Sequence, residues 1–229
     1  MIQRDYIIGK AMSMFVRQGI KAVRMDDIAQ ELGVSKRTLY EMFGDKEELL
    51  YLCLERYTSL LNDHIAQTGA DADNCLEAIL TELFEMTRYS ETNHRIMGNL
   101  QKFYPTVHER LRSEVGRRDT ERFKNAIQTC VKQGLLDEKV NIDFALTMLY
   151  YMARGVVTRK ELILPEGISV REAFFGVVLM FFRGISTSEG MRIIDDFHKS
   201  ERFTACTDNK TADSLLDDII KQDIYNNKV

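Results

Sequence analysis

Residues 25–43 read MDDIAQELGVSKRTLYEMF, and their reading decides that of the whole chain. At about 100° per residue, Met25, Ile28, Ala29 and Leu32 fall on one face of a short helix, with Asp26, Asp27, Gln30 and Glu31 on the other. Gly33 ends that helix, as a residue free to take a left-handed backbone should. Val34 fills the turn, and Ser35 is placed to cap a second helix by accepting a backbone N–H. In the second helix Ser35, Leu39, Met42 and Phe43 cluster on one side, and Lys36, Arg37, Tyr40 and Glu41 on the other. The apolar side must pack on the preceding helices, so the cationic side faces solvent. A helix about 10–12 Å wide fits a DNA major groove about 12 Å across, where Lys and Arg bind guanine O6 and N7. The pattern predicts a helix-turn-helix with its recognition helix at 35–43.

The flanks extend the device. A helix over about residues 4–18 carries Ile7 or Ile8, Ala11, Met14 and Phe15 at helical spacing and stops at Gly19. Downstream, GDKEELL offers Asp45 as an N-cap with Glu48 three residues on, the pattern of a capping box. Lys46 in that first turn opposes the helix dipole, a placement that a nearby phosphate would explain.

Charge agrees with this division. The 229 residues carry a formal net charge of -4, yet residues 1–40 hold seven Lys or Arg (4, 10, 17, 21, 24, 36, 37) against four acids (5, 26, 27, 31). A net of +3 at this end leaves -7 for the rest, so a polyanionic partner is expected at the N-terminal end alone. Hydrophobic residues at 45% and charged residues at 29% exclude disordered and fibrous classes. Cys53, Cys75, Cys130 and Cys206 show no C-x-x-C and no histidine at zinc-finger spacing, so reduced, buried thiols in a reducing compartment are expected. The longest apolar run, AFFGVVLMFF at 173–182, is too short for a membrane span of about 20 residues. No secretory leader is apparent, and a cytoplasmic location is expected.

The run AMSMFVRQGIKAVRMDDIAQELGVSKRTLYEMFGDKEELL resembles the TetR family of bacterial transcriptional regulators. Ala11, Phe15 and Gly19, then Ile28-Ala29, Leu32-Gly33-Val34-Ser35, Thr38-Leu39-Tyr40, Phe43 and Lys46-Glu47-Glu48-Leu49 carry the match, over about the first 50 residues. The resemblance implies base-edge contacts from Lys36 and Arg37, and phosphate contacts from Thr38, Tyr40 and Lys46. Arg24 stands where a Thr or Ser commonly caps the second helix, and it supplies charge for a phosphate instead. Met42, where the family often has His or Tyr, has no such chemistry. With the capping Ser35, the expected DNA-binding set is Arg24, Ser35, Lys36, Arg37, Thr38, Tyr40 and Lys46.

Beyond this head the sequence reads as helix throughout, interrupted by only two prolines, Pro105 and Pro165. A long helix is expected over 47–67, with others at about 73–90, 92–103, 105–133, 141–163, 169–186 and 188–199. Ser169 with Glu172 and Ser186 with Glu189 form S-x-x-E boxes. No alternating pattern long enough for a sheet appears, so the fold class is all-α. The expected domains are a helix-turn-helix head at 1–46, a helical effector-binding and dimerisation domain at 47–200, and a tail at 201–229. In that tail Leu215, Leu216, Ile219, Ile220 and Ile224 form one side of a short amphipathic helix, left open as docked or disordered.

The helix from 141 carries two apolar stripes, Ile142, Ala145, Leu149, Met152 and Val156 on one side and Phe144, Met148 and Tyr151 on another. Two faces ask for two partners, the core and a second subunit, unless the helix is buried within its own chain. The resemblance implies a homodimer built from the last two long helices, with Phe144, Met148, Tyr151, Phe174, Val178, Phe181 and Phe182 as candidates. It also implies a small-molecule effector whose binding moves the fourth helix and changes the spacing of the two heads. His64, Tyr89, His94, Asn99, Phe103, Tyr104, His108, Thr147 and Tyr151 are candidate walls, being polar or aromatic residues within apolar helices.

The function expected is a dimeric DNA-binding transcriptional regulator, a repressor released from a near-palindromic operator on double-stranded DNA by its effector. A DNA-binding protein without an effector is the alternative. An enzyme is not expected: His64, His94, His108 and His198 form no H-E-x-x-H, and neither G-x-S-x-G nor a phosphate-cradling glycine loop occurs. No cofactor, catalytic residue, metal or membrane partner is expected.

Overall fold

Eleven α-helices and no strand form among the residues that the computed structural model describes, 4–158, 164–200 and 212–227. They are α1 (Arg4–Gln18), α2 (Met25–Leu32), α3 (Lys36–Phe43), α4 (Lys46–Gly69), α5 (Cys75–Arg88), α6 (Ser90–Phe103), α7 (Pro105–Lys132), α8 (Ile142–Thr158), α9 (Val170–Ile185), α10 (Ser188–Lys199) and α11 (Ala212–Asn226). The all-α expectation holds. Cys206, the end of the helix expected over 141–163, and the side chains of Leu215 and Leu216 lie outside the described residues.

Local signals set most boundaries. Ser169 accepts the Glu172 N–H at 3.1 Å while the Glu172 carboxylate accepts the Ser169 N–H at 2.8 Å, completing the predicted box at the start of α9. At α4 only half the predicted box forms. Asp45 accepts the Glu48 N–H at 2.8 Å, but the Glu48 carboxylate turns to Arg110 at 2.6 Å. The box expected at Ser186 and Glu189 does not form. Ser186 lies in an isolated bridge with Leu136, so the cap passes to Thr187, whose hydroxyl accepts the Gly190 N–H at 3.2 Å.

Contacts gather the described chain into two units, each considered by itself, and they do so differently from a cut at residue 46. The first comprises described residues of 1–63, 91–117 and 211–229. Its core includes Ile7, Ala11 and Phe15 of α1, Ile28 of α2, Leu39 and Phe43 of α3, and Leu49, Leu50 and Leu54 of α4. Tyr51 joins α4 to α7: its hydroxyl donates to Glu114 at 2.7 Å and Arg110 stacks 3.5 Å from its ring centroid. The tail helix α11 docks in this unit. Ile220 is buried, Asp223 is buried against Arg56 of α4 at 2.5 Å, and Gly9 of α1 admits Ile224 where a Cβ would stand 2.8 Å from it.

The second unit comprises described residues of 64–90 and 118–210. Leu76, Leu80 and Phe84 of α5, Ile127 of α7, Leu149 and Val156 of α8, Phe175, Val178 and Phe182 of α9, and Phe197 of α10 share one core. Phe84 sits at its centre, with ring centroids 4.3 Å from Phe175 and 5.6 Å from Phe197. The expectation of free thiols is corrected here: Cys75 and Cys130 form a disulfide joining α5 to α7, with Cα atoms 5.8 Å apart. Sequence spacing gave no sign of it because the two lie 55 positions apart. Cys53 is free and buried, donating toward the Ile8 carbonyl.

Candidate nucleic-acid interface

Met25, Ile28 and Ala29 anchor α2 and leave Arg24, Asp26 and Asp27 exposed. Arg24 occupies the N-cap position, and a guanidinium has no acceptor to offer a backbone N–H. The start of α2 is held instead by Asp27, which accepts the Arg24 N–H at 2.8 Å. Gly33 takes φ 65° and ψ 27°, and the Val34 N–H closes onto the Ala29 carbonyl at 3.0 Å. This sharp stop lets α3 begin two residues later, where the Ser35 hydroxyl accepts the Thr38 N–H at 3.0 Å and pairs with the Thr38 hydroxyl at 2.7 Å.

With Leu39 and Phe43 fully buried, the other face of α3 presents Lys36, Arg37, Thr38, Tyr40 and Glu41 to solvent. Six of the expected residues, Arg24, Ser35, Lys36, Arg37, Thr38 and Tyr40, are therefore exposed around one corner. Lys36 Nζ lies 2.7 Å from Asp26 of α2, whose hydrogen bond and charge hold the ammonium above the ordinary lysine value. Arg37 Nε donates to Glu41 at 2.8 Å. The second of these pairs was readable as an i,i+4 match; the first, across the turn, was not.

Lys46 is placed otherwise. It donates to the Ile20 carbonyl at 2.7 Å and lies over the Phe15 and Tyr104 rings at 5.9 and 5.2 Å. This carbonyl and two aromatic faces offset its unfavourable position in the first turn of α4. Lys21 likewise lies 4.6 Å from the Phe103 ring centroid.

The effector candidates divide between the units. His94, Asn99, Phe103, Tyr104 and His108 belong to the first and His64, Tyr89, Thr147 and Tyr151 to the second. His94, Thr147 and Tyr151 are exposed, and Thr147 donates to the Asp143 carbonyl at 2.8 Å. His64 and Tyr89 meet edge to face at 6.3 Å. Tyr89 is fully buried, its hydroxyl has no hydrogen-bond partner among the described residues, and burial pushes its pKa up to about 12. Beside it Arg88 and Glu85 form a buried pair at 3.1 Å. A separate cleft of about 570 Å³ in the second unit has Asp73, Glu77, Gln133, Arg192 and Asp196 among its lining and none of the candidates.

The interface candidates part along the same lines. Phe174, Val178 and Phe182 are buried within the core of their own unit, so they are withdrawn as free surface. Phe144 and Tyr151 remain 64% and 65% exposed, and Met148 lies between them on the same stripe. Phe181 is half-buried, and α9 adds Met180, which the sequence reading passed over, at 68% exposure. No helix among the described residues is long and apolar enough to cross a membrane.

Residues 7–51 match the sequence profile of the bacterial regulatory proteins of the tetR family. The HTH-type transcriptional activator FasR of Mycolicibacterium smegmatis is 31% identical over 98 residues, which cover 42% of this chain and 45% of that protein. An HTH-type transcriptional regulator of Staphylococcus aureus strain USA300 is 28% identical over 103 residues, 42% of this chain and 56% of the relative. The matched region thus spans about half the length of these curated relatives. They are transcriptional regulators rather than enzymes. In structure, SmeT, the repressor of the Stenotrophomonas maltophilia multidrug efflux pump SmeDEF, superposes with a TM-score of 0.59 at 18% identity, covering 81% of this chain and 91% of SmeT. SmeT is also known as a complex with triclosan.

Proposed function

We propose that this chain, whose residues 7–51 match the tetR family of bacterial regulatory proteins, is a dimeric, sequence-specific transcriptional repressor of that family acting in the cytoplasm. It binds a near-palindromic operator through α3 and leaves it when a small molecule occupies the helical body. The observation that carries this reading is the exposed face of Lys36, Arg37, Thr38 and Tyr40, set by the Gly33 turn and the Ser35 cap over a buried seam.

A second copy of the chain is the partner that suits the exposed stripe of Phe144, Met148 and Tyr151, and the exposed Met180 of α9 is added to the proposed interface. Isologous pairing buries such a stripe against itself and gives each head one half-site. The effector reading draws on the buried Tyr89 hydroxyl, which has no hydrogen-bond partner among the described residues, with His64 at the edge of its ring. SmeT with triclosan is a precedent for a small molecule on this fold.

Selection of bound duplexes from a random library tests the proposal. A near-palindrome whose half-sites lie about one helical turn apart is the expected product. A pool that stays random after repeated rounds contradicts it.

A further inference from the structure

Each cation on the reading face is already paired with a carboxylate, and neither pair is needed for the fold. Lys36 and Asp26 are 57% and 61% exposed, Arg37 and Glu41 88% and 60%, and ion pairs so exposed add little stability. Both cations stand in the first turn of α3, where the helix dipole disfavours positive charge, so the two acids offset a local electrostatic cost. Asp26 does this from another helix, across the Gly33 turn, and thereby fixes where Lys36 lies.

We propose that Asp26 and Glu41 are specificity-determining residues of the DNA site, holding Lys36 and Arg37 from the phosphate backbone and releasing them to G·C edges. The inference rests on the DNA-reading function proposed above. Non-specific affinity comes from cations that neutralise phosphates. A cation that leaves a carboxylate for a phosphate exchanges one anion for another, and the abandoned carboxylate then faces a polyanion. A G·C pair satisfies both partners in the major groove. Guanine O6 and N7 accept from Lys36 or Arg37, and the cytosine N4 amino group donates to the acid. The ion pair and the base pair are complementary, whereas the ion pair and the backbone are not.

The test titrates the full chain and its Asp26→Asn, Glu41→Gln and doubly substituted variants against two duplexes, the one selected by the wild type and a scrambled one, over a range of salt. Affinity for the scrambled duplex is expected to rise about threefold to tenfold per substitution. Its log–log salt slope should steepen by about 0.9 for each freed cation. Affinity for the selected duplex should rise less or fall, so the ratio between them shrinks, while Asp26→Glu keeps the wild-type ratio. Equal rises on both duplexes, or no change on either, overturn the inference while leaving the DNA-reading function intact. A wild type that prefers neither duplex removes that function and the inference together. Circular dichroism of each exposed-site variant shows whether the fold is retained.

Discussion

The recognition helix α3 and the body helix α8 each carry two faces, and they differ in how those faces are decided. In α3 the faces have opposite chemistry, Leu39 and Phe43 against Lys36, Arg37 and Tyr40, so burial follows from residue type alone. In α8 both faces are apolar. Ala145, Leu149 and Val156 enter the core and Phe144 and Tyr151 do not, an outcome set by the helices around them rather than by α8. Amphipathic contrast makes a site legible; apolar symmetry leaves the decision to tertiary packing.

The largest effect expected from breaking this contrast is at Phe182, fully buried between neighbours of the body core. Phe182→Ala should cost about 3–5 kcal/mol in chemical denaturation, and a loss under about 1 kcal/mol would mean that α9 presents another face. Reduction of Cys75–Cys130 comes next. With the cysteines 55 positions apart, closed-loop entropy gives about 4 kcal/mol. The denaturation midpoint should fall in reductant, and Cys75→Ser should make it insensitive to reductant.

In the head, Ser35→Ala removes the acceptor of the Thr38 N–H and should cost about 1 kcal/mol, with Ser35→Gly costing only a few tenths. The smallest effect on the subunit itself is expected from Phe144→Asp with Met148→Asp. These exposed positions should leave subunit stability within about 0.5 kcal/mol. Equilibrium sedimentation should nevertheless move from dimer to monomer; an unchanged dimer would place the subunit contact elsewhere.

What could be read from sequence follows the same division. The turn at Gly33, the Ser35 cap and the Ser169–Glu172 box are local events within a few residues, and each forms as its pattern predicts. Ser186 has the same local pattern as Ser169, yet beside its bridge to Leu136 the backbone stays extended one residue further, through Thr187, which therefore takes the cap. The contact of Lys46 with the Ile20 carbonyl, 26 residues away, is one that no local pattern shows. Arg37–Glu41 was visible as a helical pair, but Lys36–Asp26 required knowledge of how sharply the turn folds α2 against α3. Phe174, Val178 and Phe182 look as fit for an interface as Phe144 until the core claims them.

The claim that α3 reads DNA sequence is tested most directly by Lys36→Ala/Arg37→Ala. Fluorescence anisotropy with the selected duplex and a scrambled one, at roughly physiological salt, would compare it with the wild type. The account predicts a wild-type preference of about 10³-fold or more that the double variant loses at unchanged melting temperature. Retention of that preference by a folded double variant would contradict it and move the reading of bases away from α3.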